Sequence, residues 1–447
     1  MPPPSKPAPR PPSAPAAAPA AAHAAESAKQ QPSRPEQETT GQETQNARLF
    51  TNAPALGYLP DEDRHLSKAK EPLYSFAIIG CGIMGTEHIR NTLLEGRARI
   101  GGLFDPSPAS VAQAQQAVGR YGQLDAAREY VTIEELCADP SIDAIFICTP
   151  NYTHLSVLRS IVAAGKAIFL EKPIATTVAD AWSVCQLATA HSQLVRFGLQ
   201  YRYKAIYAEA VHEVVERQSI GRVHAIHMHE HRFPFLDKVG QWNKFNEFSG
   251  GTLIEKCCHY FDLLNLFAQG TPVKVYASGH QAVNFKKFNY QGRAADGLDH
   301  ASVIIDYDNH VVGNFELCMF APGSSEQLII NGDRGRLRAE ESSTLGSPNK
   351  NTLEIWRGER GASTLNHPHY PPYIEEAGHH GSTFYEHAAF VDDLAAQSST
   401  GPSLADGFWS VAVGAAAHQS ITEGRAVLLE EVLPDDFDPA VLVGPMQ

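Results

Sequence analysis

From Tyr74 onward the chain alternates short, wholly apolar runs with amphipathic stretches of helical period. The runs are Tyr74–Ile79, Ile100–Phe104, Ala144–Cys148, Ala167–Leu170 and Leu194–Leu199. Between them the spacing predicts helices over Thr86–Glu95, Ser107–Tyr121, His154–Ala164 and Thr177–His191. Strands without in–out alternation need cover on both faces, and a strand–helix repeat provides it by building a parallel sheet between two helix layers. Residues 73–200 are therefore expected to form an α/β, doubly wound parallel sheet.

Beyond Gln200 the rhythm changes. A helix over about 205–217 precedes the long run Arg222–Phe233, and another helix covers about 252–268. Strands then dominate, at 272–285, 299–307, 310–319, 325–331, 335–340 and 352–357, with turn chemistry at Tyr307-Asp308-Asn309 and Asn331-Gly332-Asp333. A last helix is expected over Gly407–Glu423. Adjacent strands with the helices kept apart predict a C-terminal α+β domain, 201–433, on a large open, mostly antiparallel sheet.

Composition adds limits. At 447 residues the chain is too long for one core. With 36 basic against 50 acidic residues its net charge is −14, which repels phosphate backbones and anionic lipid, so neither nucleic acid nor membrane is an expected partner. No run reaches the roughly 18 apolar residues of a membrane span. The seven cysteines include no C-x-x-C, and several sit in apolar runs, as buried thiols do in a reducing compartment. Within 1–35, 22 of 35 positions are Pro or Ala, so residues 1–72 are expected to be a disordered tail. The tail lacks the apolar core of a secretory signal, which points to the cytoplasm, with an organelle transit peptide as the alternative.

The first apolar run ends in Gly80-Cys81-Gly82-Ile83-Met84-Gly85, a G-x-G-x-x-G between a strand and a helix. That context suits a dinucleotide: Gly80 for the tight turn, Gly82 for backbone approach to a pyrophosphate, Gly85 for close helix–strand packing. Asp105 closes the next strand, where a carboxylate can take both ribose hydroxyls. No Arg or Lys follows it in Asp105-Pro106-Ser107, so NAD is expected and NADP disfavoured. The competing reading is a glycine-rich turn of an ordinary α/β protein.

Glu171-Lys172-Pro173 ends a strand at the same sheet edge. A lysine there, partly desolvated against a nicotinamide ring, is expected to have a lowered pKa and to hydrogen-bond a substrate hydroxyl. It also reads as a surface lysine at a proline-terminated turn. In Thr252-Leu253-Ile254-Glu255-Lys256-Cys257-Cys258-His259, a helix starting near Thr252 would put Glu255 and His259 on one face at i and i+4. A carboxylate beside an imidazole suits proton removal from an alcohol. Alternatively, Thr252-x-x-Glu255 is a capping box and His259 a satisfied core histidine.

In their order, Gly80-x-Gly82-x-x-Gly85, Asp105, Thr149-Pro150-Asn151-x-x-His154, Glu171-Lys172-Pro173 and Gly250-Gly251 followed by acid-x-x-x-His resemble the glucose–fructose oxidoreductase/inositol dehydrogenase/rhizopine catabolism family, over about 73–430. The resemblance implies a Rossmann domain followed by an α+β domain whose open sheet joins subunits into a homodimer or homotetramer. It implies a nicotinamide cofactor and oxidation of a sugar or cyclic polyol hydroxyl to a ketone. Lys172 would then polarise the reacting oxygen, His259 would be the general base, and Glu255 its acidic partner. Gly80, Gly82, Ile83, Met84, Gly85, Asp105, Thr149, Pro150, Asn151, His154 and Glu171 would border the cofactor. The family usually has Asp at the position of Glu255, followed by apolar and small residues rather than Lys256-Cys257-Cys258. Two rivals share the scaffold, a glycosidase using NAD transiently and a non-catalytic NAD-binding sugar sensor.

Other residues are weaker candidates. His227, His229 and His231 alternate onto one strand face, which raises metal binding, but no carboxylate or cysteine cluster completes a site and no metal is expected. Arg202, Trp242, Asn243 and His380 are candidate substrate contacts, with core packing or a surface loop as the alternatives.

Overall fold

The computed structural model describes residues 72–443 except 122, 124, 344–348, 359–360 and 362. Apart from residue 72, the expected tail lies outside the described residues.

Six strands form the first sheet: β1 (Tyr74–Ile79), β2 (Ala98–Phe104), β3 (Arg128–Glu129), β4 (Ala144–Ile147), β5 (Ala167–Glu171) and β6 (Val195–Gly198). Their order is β3-β2-β1-β4-β5-β6 and every pair is parallel. The order reverses between β1 and β4, which opens a crevice at the strands' carboxyl ends. Phe76 to Ile79 are wholly buried, the reason these runs show no alternation.

One layer of cover comes from an unexpected place. No element was expected between 357 and 407, yet a helix spans Ser382–Ala396. It packs on the helix Ile83–Glu95 and inserts Phe390 edge-on against Phe146 and Phe169, at 5.3 and 5.5 Å between ring centroids.

The second sheet contains β7 (Val223–His231) and β8 (Pro272–His280); β9 (Asn289–Tyr290) and β10 (Arg293–Ala294) form a separate ribbon. It continues with β11 (His300–Tyr307), β12 (Val312–Cys318), β13 (Ser324–Gly332), β14 (Gly335–Ser343), β15 (Lys350–Arg357), β16 (Ser363–Asn366) and β17 (Val427–Leu428). The order is β16-β15-β14-β13-β7-β12-β11-β8-β17, antiparallel except between β7 and β12. The strand expected over 272–285 stops at His280, because the Asp299 carboxylate accepts the backbone N–H groups of Ala282, Val283 and Asn284 and turns the chain. The helices Cys258–Ala268 and Leu404–Glu423 cover the inner face, where Phe261 meets Phe315 edge-on at 5.7 Å. On the outer face Tyr276, Ile304 and Val312 are exposed.

The helix expected over 252–268 is two helices, Thr252–Glu255 and Cys258–Ala268. At the break the Glu255 carbonyl, which would accept the His259 N–H in a continuous helix, faces the Lys172 ammonium at 3.2 Å.

Candidate active site

At the switch point each glycine of the turn has a measurable reason. Gly80 sits at φ +95°, and a Cβ there would lie 2.7 Å from the Cys148 carbonyl carbon on β4's end. A Cβ on Gly85 would lie 2.0 Å from the Gly80 oxygen, so only glycine lets the helix approach β1 this closely. A Cβ on Gly82 would meet nothing within 4 Å; its backbone borders open space. Gly82 also caps the helix Ile83–Glu95 without any side-chain hydrogen bond. First-turn N–H groups with no internal partner, beside an open backbone, make a cradle for an anion. Ile83 is exposed at this entrance and Met84 half-buried beside it. Asp105 is held at the end of β2 by the N–H groups of Cys81 and Ser107, both at 2.8 Å. A carboxylate has about four lone-pair sites, so two remain for a diol. The turn thus fits a dinucleotide with a free ribose 2′-hydroxyl.

The neighbouring strand ends divide into surface and support. Thr149 and Pro150 are half-buried at the crevice, and the Thr153 hydroxyl donates to Thr149 Oγ1 at 2.8 Å. Asn151 is buried and its amide donates to the Ser249 carbonyl at 3.4 Å. His154 does not border the cradle: its imidazole is buried between the carbonyls of Pro173 (2.8 Å) and Thr149 (3.0 Å), clasping the two loops together. Glu171 is likewise turned inward. Its carboxylate pairs with His88 Nε2 at 2.7 Å, and His88 Nδ1 meets His387 Nε2 at 2.8 Å. Both were expected at the cofactor; burial gives them supporting roles instead.

Lys172 is half-buried, and its environment reverses one expectation. Burial by itself would lower its pKa, but the Glu255 carboxylate, with Glu171, outweighs burial and raises it, so Lys172 carries its charge. His259 goes the other way. Burial, reinforced by Lys172 and Lys256, holds its pKa well below the ordinary histidine value, so the ring is neutral. It stacks on Tyr201 at 4.0 Å and 8°, and its Nδ1 is buried without a hydrogen-bond partner among the described residues. A fixed cation thus stands beside a neutral imidazole with an unpartnered nitrogen.

Glu255 does not pair with His259, and the capping box is absent too. The helix break separates the two residues, Gly251 occupies the cap, and Thr252 Oγ1 donates to the Leu298 carbonyl at 2.7 Å. The Glu255 carboxylate binds Lys238 at 3.3 Å, and Lys238 in turn lies 4.5 Å over the Trp242 ring. Although burial opposes ionisation, Lys238 and Lys172 hold the Glu255 carboxyl down at about 2.

Beside this centre lies a cavity of about 310 Å³, sharing Tyr201 and Lys256 with it. Glu230, Arg232, Glu326 and His380 are also on its wall. Sequence reasoning missed Glu230, which had a legible signal: it is an acid in phase with the buried Ile226 and Met228 of β7. Lys256 was legible as an extra cation beside the site, but continuous helical spacing gave no reason to turn it inward.

Two other expectations change. Arg202 binds no open site; it is claimed by Asp262 (2.5 Å) and Asp406 (2.7 Å). Burial pushes the Asp262 carboxyl up to about 6 even against Arg202. Breaking such a buried pair from one side costs about 3–5 kcal/mol, so Arg202→Met should lower Tm by about 4–7 °C in a thermal melt; an unchanged Tm contradicts this. Trp242 is buried beneath Lys238, and Asn243 is buried with its amide on the Leu236 carbonyl, so neither offers a face to a sugar. His229 and His231 stack on each other and bond Ser325 and Glu316, and no metal-holding group occurs among the described residues. Nor does any described helix have the length and apolarity to cross a membrane.

The chain is 24% identical to the myo-inositol 2-dehydrogenase of Thermotoga maritima over 359 residues, 80% of this chain and 98% of that one. It is 25% identical to the inositol 2-dehydrogenase of Rhizobium meliloti over 355 residues, 79% and 98% of the two chains. Among solved structures it resembles levoglucosan dehydrogenase in complex with NADH and levoglucosan, with a TM-score of 0.66 and 19% identity over 80% of this chain and 99% of that one. Residues 74–199 match the family model "Oxidoreductase family, NAD-binding Rossmann fold", and 212–429 match the same family's "C-terminal alpha/beta domain". With both halves matched in order, and with a dinucleotide cradle at the switch point of the first, the chain belongs to the glucose–fructose oxidoreductase/inositol dehydrogenase/rhizopine catabolism family of NAD-dependent oxidoreductases that act on CH–OH groups.

Proposed function

We propose that this protein is a dehydrogenase oxidising a secondary hydroxyl of a sugar or inositol-like polyol to a ketone, with residues 73–200 holding NAD and 201–433 the substrate. The observation that carries the reading is the pairing of a charged Lys172 with a neutral His259, one of whose ring nitrogens has no partner among the described residues, next to the nucleotide cradle. NAD, when bound, supplies the hydride acceptor. The chain's own groups handle the oxygen: the Lys172 ammonium holds and polarises it, and the His259 imidazole accepts its proton. Glu255 keeps Lys172 charged and in place from behind. The names of the inositol dehydrogenase relatives favour a polyol.

The test is NADH formation, followed at its absorbance band, against inositols, aldoses and anhydro-sugars. Steady, stoichiometric NADH with at least one compound is expected. Sugar turnover without net NADH would favour a transient-oxidation glycosidase, and NAD binding with no turnover a sensor.

We further propose a homodimer or homotetramer joined through the outer sheet face, where Tyr276 pairs across β8 and β11 with Ile304 and both are exposed. Light scattering on the eluting protein should give a mass of two or four chains, and Ile304→Lys should lower it; a monomer rejects the idea.

A further inference from the structure

The wall of the cavity beside His259 includes a carboxylate with one oxygen left without a partner among the described residues. Glu230 is 3% exposed, on the buried phase of β7. Its Oε1 takes Lys256 Nζ at 3.0 Å and Arg232 at 3.5 Å, but its Oε2 is buried with no partner among the described residues. A buried carboxylate oxygen left bare is costly, so a strand that keeps one is suited to a ligand that supplies a donor. Lys256 is the complement. Its ammonium donates to the Tyr201 hydroxyl at 2.8 Å and to Glu230, and it has one N–H beyond these two. A spare acceptor and a spare donor side by side on one wall match two adjacent hydroxyl groups.

The rest of the wall has little left for an anion. Behind it Lys204, buried outside the cavity lining, is shared between the wall's Glu326 and Glu341 at 2.7 and 2.6 Å, and Glu87 is held by His379 at 2.7 Å. The wall thus sets four carboxylates, Glu87, Glu230, Glu326 and Glu341, against two permanent cations, Arg232 and Lys256, both of which face Glu230 Oε1, and the atom left over is a carboxylate oxygen.

We propose that Glu230 and Lys256 form a hydroxyl clamp that selects an uncharged polyhydroxylated ring over its acid counterpart. This rests on the dehydrogenase reading and deepens it by naming specificity residues. The pair grips the ring while Lys172 and His259 act on the reacting carbinol. Tyr201, stacked on His259 and bonded to Lys256, joins the clamp to the base.

The experiment compares myo-inositol and D-glucose with D-glucuronate, which carries a carboxylate on the glucose ring. Both NADH formation and calorimetric binding to the NADH-loaded protein are measured. The uncharged rings should lead glucuronate by about a hundredfold in kcat/KM and in Kd. Glu230→Gln and Lys256→Gln should each raise KM by about 10–100-fold with kcat changed far less. Retained NADH binding and Tm show that a variant is folded; Lys256→Arg, which keeps the charge, guards against a folding defect and should also raise KM. Equal or better use of glucuronate overturns the clamp, as do variants that bind the uncharged rings like the parent. Oxidation that the variants leave unaltered sinks the clamp alone. Binding that depends on Glu230 and Lys256 without any oxidation sustains the clamp and sinks the dehydrogenase reading. Neither binding nor turnover with any of the three sinks both.

Discussion

Lys172→Met is expected to lower kcat/KM by about 10³-fold while NAD binding stays within about threefold. Methionine keeps the length and the apolar stem, so what is removed is the charge and its hydrogen bonds. That charge is secured in the ground state. Burial disfavours it, but Glu255 and Glu171 more than compensate, and the ammonium already points at the Glu255 carbonyl. The fold should tolerate the loss, because the Glu255 carboxylate keeps Lys238. Lys172→Arg should rescue poorly, since a planar fork cannot stand in for a compact point charge. Quenching of protein fluorescence by NADH reports binding, and stopped assays report turnover. A variant retaining more than about a tenth of parental kcat/KM would remove Lys172 from the chemistry.

His259→Asn should cost about 10²–10⁴-fold in kcat, the range for losing a positioned general base. The parent enzyme's pH profile gives an independent readout. The base must be neutral to accept a proton, so activity falls as pH drops through the His259 pKa, which burial and Lys172 place well below 6.5. Lys172 must be charged to polarise the oxygen, so activity falls as pH rises through its pKa, which lies above 10.5. The expected kcat/KM profile is therefore a plateau across neutral pH with its acid limb well below 6.5. An acid limb at or above 6.5 would mean that another group is the base. In His259→Asn the acid limb should vanish from what activity remains. A purely structural His259 predicts an intact limb and a lowered Tm.

Much of this was legible from local pattern. β1 begins and ends where its apolar run does, at Tyr74 and Ile79, because every residue between needs burial and the next needs a positive φ. The roles of Gly80 and Gly85 were readable because steric limits on a turn act between residues a few positions apart. The last helix was placed to within a few residues, and its true start at Leu404 is set by the Ser403–Asp406 capping box. By contrast, the Glu255–His259 pair was an inference from spacing that assumed an unbroken helix, and a lysine 83 residues earlier in the chain occupies the carbonyl at the break.

The amino-acid order alone determined the strand–turn–helix cradle, its acid at Asp105, the alternation that builds a parallel sheet, and the lysine and histidine of the candidate site. These rest on sterics and hydrophobic period, which neighbours in sequence settle. Tertiary structure decided protonation and partnership. It charged Lys172, neutralised His259, drew Glu171 and His154 under the cradle, and turned Glu230 and Lys256 into a shared cavity. Desolvation and Coulomb energy depend on what lies within a few ångströms, and here that company comes from as far as 299 residues along the chain, as His88 and His387 do.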